Sequence, residues 1–379
     1  MKIAIMGAGM AGLSCAITLE KHGVTPYIFE KRASVGDRFV SAEGMFHILN
    51  RPVQDCIPYL QQEFGIHLNP LTKACRIEIH SKHEKGAISG DIGYLNIRGR
   101  HEHSYERQLQ EQLLGAIEYH SEYDYETLCK KFDAVVLATG DAEYACRLGN
   151  FRSDFTGSVR GVTVTGSFQA DTPHVWFNCD VMPKGYGWVI PYSDQEANVV
   201  MFSPDYPRNI KQDRNEMWNQ FYELVTHDLN QQFRITDRFE FKHYIVGICN
   251  QPKLENTYFT GNCFGAVSPG FGFGQFISIL TGVYSAYDIC GLGDYAKLSK
   301  PLRTNYENSL ILRRFLENMK DDNFDFIAKN VNIKLISRFV NAVCDSDSRM
   351  DLLKHATPLM KLFNRLQERK NKQTGRRPP

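Results

Sequence analysis

Three glycines in the run AIMGAGMAGLS, Gly7, Gly9 and Gly12, constrain this chain more than any other feature. Their G-x-G-x-x-G spacing occurs by chance in many loops, so the flanking residues decide its meaning. KIAIM, residues 2–6, is a short isoleucine-rich run that reads as a buried strand. LSCAITLEKH, residues 13–22, continues as a helix, with Leu13, Ala16, Ile17 and Leu19 giving it an apolar side. Gly23 suits the left-handed cap that ends such a helix. PYIFE, residues 26–30, reads as a second strand ending on Glu30.

Each piece of this strand–turn–helix–strand unit has a physical job. Gly7 allows a tight turn, Gly9 lets a pyrophosphate approach the backbone, and Gly12 lets the helix pack on the strand. The helix start offers unpaired N–H groups and partial positive charge to phosphates. Glu30 follows Gly12 by eighteen residues, the position that holds a ribose hydroxyl pair. The unit implies a dinucleotide ligand, and by itself leaves FAD and NAD both open.

Composition narrows the partners. Forty-four Lys and Arg face forty-three Asp and Glu, which gives no electrostatic footprint for nucleic acid. The ten cysteines are dispersed with no C-x-x-C pair, so no zinc site, other metal or redox dithiol is expected. The N-terminal apolar run is short and lacks a cleavage pattern. No run of some twenty apolar residues suggests a spanning helix. A cytoplasmic location is the expectation.

Further along, VQDCIPYLQQEFGI (53–66) and YERQLQEQLLGAI (105–117) read as helices. Residues 75–100 read as a strand pair around a polar loop, SKHEKGAISGD. FDAVVLATG (132–140) reads as a buried strand ending in a small-residue turn, and residues 157–204 as several antiparallel strands. QDRNEMWNQFYELVTHDLNQQF (212–233) reads as a helix on the outside of that sheet. NTYFTGN (256–262) is a further strand, followed by CFGAVSPGFGFG and the apolar helix QFISILTGVYSAYDI; from residue 296 the pattern is helical.

Four of these segments, in this order over roughly residues 1–320, resemble the FAD-dependent reductases of the geranylgeranyl reductase group, within the larger class shaped like para-hydroxybenzoate hydroxylase. The first is the glycine loop with Glu30, and the second is FDAVVLATG, similar to the A-T-G strand of such FAD domains. The third is MPKGYGWVIP (182–191), similar to a Y-x-W-x-F-P segment, with Tyr186, Trp188 and Pro191 matching and Ile190 in place of Phe. The fourth is FTGNCFGAVSPGFGFG (259–274), similar to a G-D…P-x-x-G-x-G segment, with Gly261, Pro269, Gly272 and Gly274 matching. Two positions depart. The aspartate of G-D is Asn262, whose side-chain oxygen can still accept a hydrogen bond from a ribityl chain. In SVGDRFVSAEG (34–44), Ser41 stands where the family often carries a cysteine.

The resemblance implies an α/β fold: a split Rossmann-like FAD-binding domain, an inserted antiparallel β-rich substrate domain and a helical C-terminal region. The expected division is 1–75 with 100–155 and 250–295 for FAD, 76–99 with 156–249 for substrate, 296–370 helical, and 371–379 a disordered tail. It implies cofactor contacts from Gly7, Gly9, Ala11, Gly12, Glu30, Lys31, Arg38, Arg107, Ala138, Gly140, Asn262, Gly272, Gly274 and Gln275. Ser41, Tyr186 and Trp188 are the implied catalytic positions, with Trp176 a possible addition to the wall they form and Glu43 a neighbour within reach. The implied activity is reduction of carbon–carbon double bonds in an apolar, isoprenoid-like small molecule or lipid. With no second G-x-G-x-x-G module, electrons would come from a transiently bound nicotinamide, a deazaflavin or an electron-transfer protein. GYGWVIP also resembles the W-x-W-x-I-P element of flavin halogenases, which keeps a monooxygenase or halogenase open, and the two departures keep a non-catalytic binding protein open. LLKHATPLMKLFNRLQERK (352–370) is amphipathic and basic: it either rests on an anionic membrane surface or docks on the protein's own core, and Pro358 interrupts it.

Overall fold

The protein, described here from a computed structural model, is seen over residues 1–373 apart from Ser346 and Arg349. Residues 374–379, most of the expected tail, lie outside the described residues. Two sheets organise the chain. The first has six strands in the order β13 (Lys253–Leu254), β14 (Thr257–Phe259), β7 (Ala134–Leu137), β1 (Ile3–Met6), β2 (Tyr27–Phe29) and β6 (Ile117–Glu118). Its pairings are parallel except between β13 and β14. Parallel strands buried on both faces should be continuously apolar, and IAIM, AVVL and TYF are. Helix Met10–Lys21 packs on helix Gln275–Ile289 through Gly282, where an added Cβ would stand 2.2 Å from the Ala11 carbonyl oxygen. The start of the chain and residues beyond 250 therefore share one core.

The second sheet has eight strands in the order β12 (Arg234–Cys249), β8 (Phe151–Thr165), β11 (Glu196–Pro204), β10 (Tyr186–Pro191), β9 (His174–Trp176), β4 (Thr72–His80), β5 (Lys85–Gly99) and β3 (Val40–Phe46). Its pairings are antiparallel except between β4 and β9. It curls so that β3 meets β11: the buried Asn198 side chain accepts from the Ala42 N–H at 2.5 Å and donates to Val162 O and Thr163 Oγ1. The helix Arg214–Asp228 covers the outer face with Met217, Trp218, Phe221 and Val225.

The sequence reading has no counterpart for β3 and β12, and the structure departs from it at three further places. The polar stretch 81–91 is mostly strand: only a short turn separates β4 from β5, because backbone pairing tolerates polar side chains and Gly86 fits against the Ala328 carbonyl of helix Asp321–Val331. The helix expected over 105–117 stops at Gln110, since the Glu20 carboxylate takes the N–H groups of Leu114 and Gly115 and turns the chain toward β6. The C-terminal helix Leu352–Gln373 runs through Pro358, which is exposed, so water can serve the carbonyl that loses its partner. Among the described residues, no helix is long and apolar enough to cross a membrane.

Candidate functional site

A cavity of about 270 Å³ lies between the two sheets. Gly7, Ala8 and Gly9 line it from one side, and Val267, Ser268, Pro269, Phe271, Gly272 and Phe273 from the other. Two glycine-containing segments, far apart in sequence, therefore face one space.

At the first segment the turn is set by backbone contact. Gly7 has φ +111°, and a Cβ there would stand 2.3 Å from the Ala138 carbonyl oxygen. A Cβ on Gly12 would stand 2.0 Å from the Gly7 carbonyl oxygen. Gly9 is different: nothing lies within 4 Å of where its Cβ would be. The helix that begins behind it has no side-chain cap and no acidic residue in its first turn, so its free N–H groups remain available to an anion. Glu30 accepts from the Ala8 N–H at 2.8 Å and from the Arg32 N–H at 2.9 Å, which ties the carboxylate to the glycine turn.

Midway, the Gly140 carbonyl gathers three donors: Asn262 Nδ2 at 2.9 Å, the Tyr244 hydroxyl at 3.2 Å and Arg38 Nη1 at 3.4 Å. Asn262 Nδ2 also donates to the Tyr244 hydroxyl at 2.5 Å. The donors of Asn262 are thus spent on protein. Its oxygen is the acceptor left to it, and Asn262 lines the cavity. At the second segment, the Ser309 hydroxyl of helix Lys300–Glu317 contacts Ser268 Oγ at 2.5 Å and accepts the Gly270 N–H at 3.0 Å, bracing the loop. Helix Gln275–Ile289 begins just beyond Phe273.

The other end of the cavity is apolar. Tyr186 and Trp188 stand on β10 with ring centroids 5.7 Å apart, and Phe155, Phe202, Phe239 and Phe241 extend the wall. Tyr186 also meets Phe271 at 6.0 Å. Burial pushes the Tyr186 hydroxyl well above the usual phenol range, so it stays neutral. Ser41, Glu43, Arg98 and Glu106 complete the lining.

Of the residues named from sequence, Gly7, Gly9, Glu30, Arg38, Ser41, Ala138, Gly140, Tyr186, Trp188, Asn262 and Gly272 line this cavity. Ala11 and Gly12 lie in the helix packed behind the turn, and Lys31 is exposed beside Glu30. Gly274 closes on the Ala266 carbonyl. The Gln275 side chain turns to Asn96, exchanging hydrogen bonds with it, so only its backbone serves the helix start. Arg107 sits outside the lining with its Nε buried and unpartnered among the described residues. Trp176 belongs to the opposite face: its indole N–H donates to Asp228 at 2.8 Å, and its ring stacks on His80 at 4.3 Å. Glycine between Tyr186 and Trp188 leaves room on that outer face for the Phe221 ring. Sequence reasoning missed Phe239 and Phe241, whose period-two alternation in RFEFK was the available signal, and Tyr244, Arg98 and Glu106, which carry no local signal.

The residues fit FAD on three observations. Open space lies over Gly9, the helix end behind it is uncapped, and the side-chain oxygen of Asn262, which lines the cavity, has no hydrogen-bond partner among the described residues. Among the described residues, no group of three or more His, Cys, Asp or Glu is placed to hold a metal ion.

The FAD binding domain family model matches residues 2–63 of the chain. No curated protein matches it. Among solved structures, a geranylgeranyl bacteriochlorophyll reductase-like protein from Thermoplasma acidophilum is 14% identical, with a TM-score of 0.69, over 94% of this chain and 98% of that one. The flavin-dependent brominase Bmp2 is 13% identical, with a TM-score of 0.64, over 97% and 99%. The flavin-dependent halogenase CmlS is 15% identical, with a TM-score of 0.59, over 98% and 77%. These likenesses show the fold: an FAD-binding α/β domain joined to a β-rich sheet and a helical C-terminal region.

Proposed function

Taking an FAD-binding fold as the premise, we propose that the protein is an FAD-dependent oxidoreductase that reduces carbon–carbon double bonds of an apolar, isoprenoid-like substrate. One observation carries this reading: the cavity is continuous from a glycine-lined backbone cradle to an aromatic wall, so a cofactor held at one end reaches an apolar molecule at the other. Bound and reduced, FAD supplies hydride. The protein's own groups do the rest. The N–H groups behind Gly9 would hold the pyrophosphate of bound FAD, the Glu30 carboxylate its adenosine ribose, and Asn262 would accept from the ribityl chain. Tyr186 and Trp188 hold the apolar substrate and exclude water, which strengthens polar interactions inside. Ser41, which lines the cavity from β3, would contact substrate or flavin.

Electrons come, in this reading, from a nicotinamide, a deazaflavin or an electron-transfer protein bound transiently. A lipid substrate also gives the C-terminal helix a role. Its exposed Leu359 and Leu362 stand beside exposed Lys354, Lys361 and Arg365, the pattern of a helix lying on an anionic membrane.

The test is anaerobic. Purified protein reconstituted with FAD and reduced with dithionite should add two hydrogens per double bond to a polyprenyl substrate, read by mass spectrometry. The proposal fails if the flavin reduces but every polyprenyl substrate stays unsaturated. Fast oxygen-dependent hydroxylation or halogenation by the reduced protein would make it an oxygenase instead.

A further inference from the structure

Glu43 and Ser41 are two residues apart on β3, so both present their side chains to the cavity. Behind Glu43, Arg98 of β5 is shared between two carboxylates. Glu106, from helix Tyr105–Gln110, accepts from Arg98 Nε at 2.9 Å and from the Gly99 N–H at 3.2 Å, and pairs with Arg98 Nη2 at 2.9 Å. Glu43 has one contact, Arg98 Nη1 at 3.1 Å. The side chain of Glu106 is 3% exposed and that of Glu43 20%.

With all three groups ionised, this triad would carry one uncompensated negative charge among mostly buried side chains. Such a charge is expensive, and a proton removes it. Glu106 accepts from three donors and Glu43 from one, so a proton on Glu43 displaces the fewest hydrogen bonds. We propose that Glu43 is the acid of this cavity: it holds a proton near neutral pH and delivers it to the substrate. The delivery step rests on the reduction proposed above.

The groups facing Glu43 are consistent with that role. Arg98 approaches from β5 and Glu106 from its helix, while Asp37 and Arg38 precede β3 in the same loop. From β8, β10 and β11, Val159, Tyr186, Trp188 and Val200 line the space; of these only Tyr186 titrates, and it stays neutral. Burial raises the Glu43 carboxyl above the usual range against the attraction of Arg98, and the like charge of Glu106 adds to the rise.

The chemistry balances. The π bond of the alkene breaks; one carbon forms a C–H bond with the hydride that reduced FAD supplies, and the other forms a C–H bond with the proton of Glu43. Glu43 is left as a carboxylate beside Arg98, which stabilises it, and recovers its proton from water. Dithionite, or a reduced nicotinamide, restores the two electrons. This assigns the proton donor to a residue two places from Ser41, at the position where the expected cysteine is absent.

Two measurements on the full-length flavoprotein test it. Infrared titration should show the carbonyl stretch of a protonated carboxyl near pH 7 that disappears in Glu43→Gln, and that titrates at lower pH in Glu106→Gln, where Arg98 serves Glu43 alone. Turnover by Glu43→Gln should fall about 100-fold or more, as loss of a general acid does, with KM and the flavin spectrum unchanged. Glu43→Asp should restore part of the rate; the wild type should lose rate at high pH, and Glu43→Gln should show no such loss. A wild-type spectrum without the band, or a Glu43→Gln protein with wild-type turnover, overturns the assignment of the acid. A band that is present while no polyprenyl substrate is reduced overturns the delivery step and the function above, and leaves the proton on Glu43 established.

Discussion

The two ends of the cavity are built from different materials. The cofactor end is backbone: Gly7, Gly9, Gly12, Gly140 and Gly272 place N–H and C=O groups where side chains would collide or intrude. The apolar end is side chain: Tyr186, Trp188 and four phenylalanines on three strands, with Asn198 pinning β3 across the curled sheet. Gly7 and Gly12 tolerate no added Cβ, because each would meet a backbone carbonyl that cannot move aside. A side-chain site is tuned by volume, and its neighbours can repack.

The sharpest test of this contrast is Gly12→Ala. Its Cβ would lie 2.0 Å from a backbone oxygen, so the strand–helix unit must open. We expect a loss of about 3 kcal/mol or more in stability and a colourless protein, read by thermal melting and flavin absorbance. A yellow protein with the wild-type melting temperature would break the comparison.

Next is acid. His174 on β9 is held neutral by burial and by the neighbouring His80 ring, with its pKa pushed down to about 4. A histidine whose folded pKa is depressed stabilises the fold above its ordinary pKa near 6.5 and ceases to do so as pH falls through the folded value. The second sheet should therefore loosen between about pH 6.5 and 4, by about 3 kcal/mol at most. His174→Gln should flatten that part of the denaturant-midpoint profile. An unchanged profile would remove the histidine pair from the account.

Trp188→Ala follows. It removes a half-buried ring from the wall, so stability should fall by about 2 kcal/mol, less than a fully buried Trp costs. FAD affinity should hold while KM for the apolar substrate rises. Loss of FAD would mean the two ends are not separable.

The smallest effect is on Gly9. Its Cβ meets open space, so Gly9→Ala should fold with unchanged melting temperature. The methyl would instead enter the path of the pyrophosphate and weaken FAD binding about tenfold, ~1.4 kcal/mol, measured by fluorescence titration. Unchanged affinity would mean the phosphates pass elsewhere.

The same contrast explains what could be read from the chain. The cofactor end was legible because its chemistry is local: three glycines, a helix start and an acid at fixed spacing make one β-α-β unit wherever they occur. The Tyr186–Trp188 alternation was legible for the same reason, since period two puts both on one face. The neighbouring Trp176 was placed on the wrong face. Its strand has only three residues and pairs in parallel with β4, and nothing within it shows which side the cavity takes. The 81–91 stretch hid its strand because pairing there is backbone to backbone and the covering helix comes from residues 321–331.

By itself, the sequence determined the dinucleotide turn, the parallel strands around it and the aromatic pair on β10, because each depends on residues within a few positions of one another. The resemblance implied that the two glycine segments face one cofactor, and the tertiary structure lines one cavity with both. The tertiary structure alone brought Glu43, Arg98 and Glu106, from two strands and a helix, into one charge cluster, and matched the donors of Asn262 to Gly140 and Tyr244. Charges and hydrogen bonds act through space, and the energy that sets a proton or an acceptor depends on which groups arrive there, not on their order along the chain.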